Sequence, residues 1–208
     1  LTLAGSLSNL SSITRSLSFN AHRLKVFEDS TTTDDWFRRL QEEYGEAEME
    51  CLLTSIADSL GAKVLNISTV PYEPFGASGT LMMGQQSQSL GHLDASHIAV
   101  HSYFDISERF AHFRLELEIS SCAGDPGLQV QSLIERVQPD FLQIDYRVRG
   151  ISWNKAAGAS RQTSKLPDGL DKQPGYQPVS HRSDSDSEYI ALLRSSLAPA
   201  ISNVLVSL

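Results

Sequence analysis

The sequence predicts a two-layer α/β sandwich, a mainly antiparallel sheet with helices on one face. Residues 113–120 carry the clearest alternation: Phe113, Leu115, Leu117 and Ile119 point one way, and Arg114, Glu116, Glu118 and Ser120 the other. An antiparallel strand with one covered face has this pattern. Met49, Leu52, Leu53, Ile56, Ala57 and Leu60 recur at spacings of three and four, which gives a helix one apolar face. The order of elements is strand, helix, several strands, helix, strand, and it suits helices collected on one side of a sheet better than a regular βαβ alternation.

Taken in order, residues 1–15 read as a short strand and a turn around Gly5 to Ser12, and Ser16 to Ala21 as a second strand. Ser30 to Asp35 supplies capping side chains and early negative charge for a helix reaching Leu60, which Gly45 divides in two and Gly61 stops. Strands are predicted over Ala62–Thr69, Thr80–Met83 and His97–Tyr103. Pro126 opens a helix that runs to Val137, and Phe141–Val148 forms a last strand. The core unit is therefore 1–152. Residues 153–187 are polar, hold three prolines and read as a flexible linker. Residues 188–208 read as a short amphipathic C-terminal helix, from Ile190, Leu193, Leu197, Ile201, Val204 and Leu205.

The chain has 208 residues, 40% of them hydrophobic, and a net charge of −8, enough for one full core. No basic cluster longer than a pair occurs, which argues against a nucleic-acid partner. Two cysteines, Cys51 and Cys122, are too few for a disulfide-stapled secreted module. No apolar run is long enough for a membrane span, so the expectation is a cytoplasmic protein without a membrane partner.

Chemistry concentrates in Gly91 to Tyr103, where Ser96 stands among His92, His97 and His101. Zinc is not expected, because the surrounding Leu93, Ile98 and Val100 favour a strand over a helical ligand pair, and no cysteine or carboxylate completes a recognised set. Ser78, in Gly76-Ala77-Ser78-Gly79, fails the nucleophile-elbow pattern by one residue. Ser96 and His101 are five apart, an odd separation that puts their side chains on opposite faces of a flat strand. If the two cooperate, the chain must turn or end at Ser96.

Four motifs stand in order: Tyr72-Glu73-Pro74-Phe75-Gly76-Ala77-Ser78, His92-Leu93-Asp94-Ala95-Ser96-His97-Ile98-Ala99-Val100-His101, Glu118-Ile119-Ser120-Ser121-Cys122 and Ile144-Asp145-Tyr146-Arg147-Val148-Arg149-Gly150. Together they closely resemble the bacterial S-adenosylmethionine decarboxylase proenzyme family, over about residues 1 to 152. The resemblance implies that family's sandwich fold and a chain that cuts itself between Ala95 and Ser96. It implies that Ser96 becomes a covalent pyruvoyl group, which forms a Schiff base with the substrate amine. His101 and Ser78 would assist self-processing, and Cys122 would donate a proton after decarboxylation. Tyr72, Glu73 and Asp105 would contact S-adenosylmethionine, and cleaved two-chain protomers would form a homo-oligomer.

The product would be decarboxylated S-adenosylmethionine for spermidine synthesis. Pyruvoyl enzymes acting on arginine or ornithine are the alternative within the class, and an unprocessed partner subunit is the alternative outside it. Two departures stand out. Ala95 replaces the usual lysine or glutamate, and Ser102-Tyr103-Phe104-Asp105 stands where the family usually has Thr, an aromatic, Pro and Glu.

Overall fold

A computed structural model describes residues 9–26, 31–85, 96–106, 110–122, 124–154, 158–161, 172–185 and 188–196. Among the described residues, nine strands form one sheet: β1 (Asn9–Val26), β2 (Ala62–Pro71), β3 (Ala77–Gln85), β4 (Ser96–Ile106), β5 (Phe110–Ser121), β6 (Phe141–Asn154), β7 (Gly158–Arg161), β8 (Tyr176–Ser185) and β9 (Glu188–Ser195). Their order is β2-β3-β4-β5-β1-β6-β9-β8, with β7 also beside β6. Every pairing is antiparallel. Helices α1 (Thr31–Tyr44), α2 (Glu46–Ser59) and α3 (Val130–Val137) lie on one face, as expected.

The covered face follows from alternation. Leu17, Phe19 and Ala21 of β1, Leu115, Leu117 and Ile119 of β5, and Leu142, Ile144 and Tyr146 of β6 are buried with Leu53, Ile56 and Val137 from the helices. Burying each large side chain of this kind stabilises the fold by about 1.5–3 kcal/mol. The opposite face carries Ser16, Ser18, Asn20 and His22 of β1 beside Ser120, Glu118, Glu116 and Arg114 of β5. No helix covers that open face among the described residues.

Gly45 separates α1 from α2 as the sequence predicts, and Gly61, at φ +67°, ends α2 in the left-handed region where glycine is unstrained. The first strand differs from expectation: Asn9–Val26 is continuous, with no turn between residues 9 and 16, because β5 and β6 pair along both its edges; residues 1–8 of the expected first strand and turn lie outside the described residues.

The C-terminal part also differs. Residues 188–195 form a strand, where the sequence reading expected a helix. Tyr189, Ala191 and Leu193 are buried at period two, and β6 supplies the hydrogen-bonding edge. A short apolar run fits both periods, and the tertiary partner decides between them. Residues 197–208 lie outside the described residues. Within the expected linker, β7 and β8 are ordered strands; β8 is an edge strand that accommodates Pro178 next to a register shift.

Candidate active site

Ser96 opens β4 and is 3% exposed. Its Oγ accepts a hydrogen bond from the amide N–H of Cys122 at 3.0 Å. Cys122 follows the last residue of β5, and its Sγ lies 3.3 Å from Thr14 Oγ1 on β1. Pairing of β4 with β5 thus joins two sequence-predicted residues 26 positions apart in the chain.

Asp125 caps the short 3-10 turn Pro126–Gln129. One carboxylate oxygen, Oδ1, accepts from the Gly127 N–H at 2.9 Å and from the Tyr146 hydroxyl at 2.9 Å. Arg15 lies 3.8 Å from the other oxygen. Burial first, and then Asp125, hold the Tyr146 phenol far above its usual range. Close packing contributes as well: a Cβ on Gly124 would sit 2.8 Å from the Leu60 carbonyl oxygen.

A second group lies on the open face. Ser78, His101, Glu116 and Asn20 form one cross-strand row. The Tyr72 hydroxyl is 3.1 Å from His101 Nδ1. Tyr103 stacks on both Tyr72 and His101, and the Arg114 guanidinium sits 4.5 Å from the centre of the Tyr103 ring. The loop carrying Tyr72 is held to α1, where Gly76 N–H donates to Gln41 Oε1 at 3.0 Å and Phe75 stacks on Phe37. Gly76 has φ +106°, and a Cβ there would meet the Ser102 carbonyl oxygen at 2.5 Å, so this tight approach to β4 requires glycine. Glu73 is exposed on the same loop.

Asp105 is 70% exposed, and its carboxylate pairs with His112 at 3.4 Å. His112 Nε2 is in turn 2.9 Å from His22 Nδ1. Burial, followed by His112 and Arg114, pushes His22 down to about 4. Sequence reading did not single out His22, His112, Thr14 or Arg114. His112 and Arg114 do share the polar phase of β5, but the partners across β1 and β4 emerge only from the register.

Ser96 and His101 occupy opposite faces, as the odd spacing requires. At about 3.3 Å per residue they are also about 16 Å apart along the strand. A single chain therefore gathers Ser96 with Cys122, and Ser78 with His101 and Tyr72, without joining the two groups. Ala95 lies outside the described residues. Among the described residues no cluster of three or more His, Cys, Asp or Glu side chains could hold a metal ion, and no helix is long and apolar enough to cross a membrane.

These features define an open antiparallel sheet backed by helices, with a buried serine held by the amide of a cysteine. The chain matches no protein-family model. It is 32% identical over 166 residues to an S-adenosylmethionine decarboxylase proenzyme from Azotobacter vinelandii, covering 70% of this chain and 63% of that protein. Proenzymes of the same name from Pseudomonas aeruginosa (31% over 166 residues) and Clostridium beijerinckii (29% over 171 residues) are matched with the same coverage. Over this shared stretch the chain is similar to S-adenosylmethionine decarboxylase proenzymes, and it spans 63% of the length of these curated proteins.

Among solved structures, the adenosylmethionine decarboxylase of Aquifex aeolicus is 13% identical with a TM-score of 0.39, covering 66% of this chain and 88% of that one. The Trypanosoma brucei AdoMetDC-delta26 monomer is 12% identical with a TM-score of 0.40, covering 86% of this chain and 63% of that one.

Proposed function

We propose that this chain is a self-processing, pyruvoyl-dependent decarboxylase that converts S-adenosylmethionine to its decarboxylated form for spermidine synthesis. The observation that carries the reading is Ser96 itself: it is buried at the head of β4, with its Oγ held by the Cys122 amide, in a chain 32% identical over 166 residues to a proenzyme. The donor leaves the Ser96 hydroxyl proton free to depart as Oγ attacks the Ala95 carbonyl carbon. The peptide nitrogen leaves and an ester forms. Loss of the Cα proton then breaks the Cβ–Oγ bond and releases Ala95 as a carboxylate; water completes the pyruvoyl group and ammonia departs.

The residues present fit that group, since the new N-terminus would start beside the Cys122 amide, and the Cys122 thiol lies against the half-buried Thr14 hydroxyl. A pyruvoyl carbonyl supplies an electrophile for a substrate amine and a sink for the electrons released as carbon dioxide leaves. Cys122 returns a proton to the carbon that loses carbon dioxide. His101 and Ser78 serve self-processing, and Tyr72, Glu73 and Asp105 bound the substrate.

Two copies complete the site in this reading. Ser96 and His101 stand apart within one protomer, and the open sheet face presents His101, Ser78 and Tyr103 to a second copy. Two uncut copies pair so that one copy's His101 works on the other's Ser96, and the cleaved two-chain protomers stay paired.

Release of labelled carbon dioxide from carboxyl-labelled S-adenosylmethionine, arginine and ornithine tests the substrate. Release from S-adenosylmethionine alone is expected. Release only from arginine or ornithine overturns the assignment.

A further inference from the structure

We propose that Tyr72 is a positioning residue for His101, acting through its hydroxyl, in addition to any surface its ring offers to substrate. This inference rests on the functional reading above. A neutral imidazole has one donor and one acceptor nitrogen, and the imidazolium has two donors. The Tyr72 Oη lies 3.1 Å from His101 Nδ1. A phenol can donate to Nδ1 when the ring is neutral and accept from Nδ1–H when it is charged, so Tyr72 follows His101 through both proton states. Nδ1 is thereby committed, and Nε2 is the nitrogen left to exchange a proton with a reacting group.

The surroundings hold Tyr72 to this task. Its amide donates to the Gly76 carbonyl at 2.9 Å, closing the loop that Gln41 and Phe37 pin to α1. Its ring stacks on Tyr103, with centroids 6.0 Å apart, and Tyr103 stacks on His101 at the same distance. The charged and titratable groups facing this cluster are Glu116 on β5, opposite His101, Arg114 on β5, against Tyr103, and the phenol of Tyr103. The Tyr103 phenol is raised by partial burial first, then by Glu116 and Tyr72, so it stays protonated alongside His101. A ring would suffice for stacking on substrate. The hydroxyl aimed at Nδ1 needs another role, and orienting the imidazole is the one that base-and-orienter pairs perform.

Tyr72→Phe removes the hydroxyl and keeps the ring; Tyr72→Leu removes both. The first readout is the pair of His101 ring nitrogen resonances in the full chain, taken in a Ser96→Ala background so that no processing is needed. In the parent, Nδ1 and Nε2 are expected at separate, tautomer-specific positions, and in Tyr72→Phe they are expected to move toward the averaged values of a free imidazole. The second readout is function: Tyr72→Phe slows self-cleavage by about three- to tenfold, the worth of one neutral hydrogen bond, with substrate KM unchanged, whereas Tyr72→Leu also raises KM. Unchanged His101 resonances in Tyr72→Phe overturn the proposal whether or not the protein is a decarboxylase. An uncut parent chain that nevertheless shows the shift counts against the functional reading and leaves the Tyr72–His101 pairing standing.

Discussion

Removing the Asp125 carboxylate tests how firmly the 3-10 turn Pro126–Gln129 is built. One oxygen serves two donors, the Gly127 N–H and the hydroxyl of fully buried Tyr146. Losing a turn cap costs about 0.5–2 kcal/mol, and losing a hydrogen bond to a charged group about 1.5–3 kcal/mol. The two losses overlap because they share an oxygen, and Asp125 is only half-buried, so water recovers part of the deficit. Asp125→Ala should therefore destabilise the protein by about 2–4 kcal/mol, a fall in Tm of roughly 5–15 °C for a chain of this size. Denaturant titration of Asp125→Ala, Tyr146→Phe and the double variant gives the coupling, expected at about 1 kcal/mol or more. A single variant within about 0.5 kcal/mol of the parent, or zero coupling, refutes the idea that this carboxylate anchors the turn.

Ser96→Ala should abolish both cutting and activity, whereas Cys122→Ser should still cut but turn over about a hundredfold more slowly, by gel and by carbon dioxide release; native turnover in Cys122→Ser removes its proton-donor role. His22 should stay neutral down to about pH 4 in a ring-proton titration. Its folded value lies below the unfolded one, so the unfolded chain binds the extra proton between about pH 6.5 and 4, and stability falls as pH drops through that window. His22→Gln should flatten this part of the stability profile, measured as denaturant midpoints at pH 7 and pH 5. Leu193→Ala should cost about 2–5 kcal/mol because Leu193 is fully buried on β9; a negligible loss by thermal melting would contradict β9 as part of the core sheet.

Much of the fold was legible where one period was unambiguous. Alternation over residues 113–120 identified β5, the three-and-four spacing from Met49 to Leu60 identified α2, and Gly45 and Gly61 marked its ends. Residues 188–195 misled because Ile190, Leu193 and Leu197 suit a helix while Tyr189, Ala191 and Leu193 suit a strand, and the choice belongs to β6, more than 40 positions upstream. Composition hid β8, since an exposed edge strand needs few apolar residues. At the site, the odd spacing of Ser96 and His101 foretold their opposite faces. The partnership of Asp105 with His112, and of His112 with His22, could not be foretold because it depends on the register of three strands. That engagement of Asp105 bears on substrate contact at the position where the resemblance expected a longer carboxylate.

The most direct test of the central claim is the intact mass of the purified protein. Two chains divided between Ala95 and Ser96 are expected, the downstream one with a blocked N-terminus and a mass matching a pyruvoyl group in place of Ser96. A single uncut chain with an ordinary serine at position 96 would contradict it.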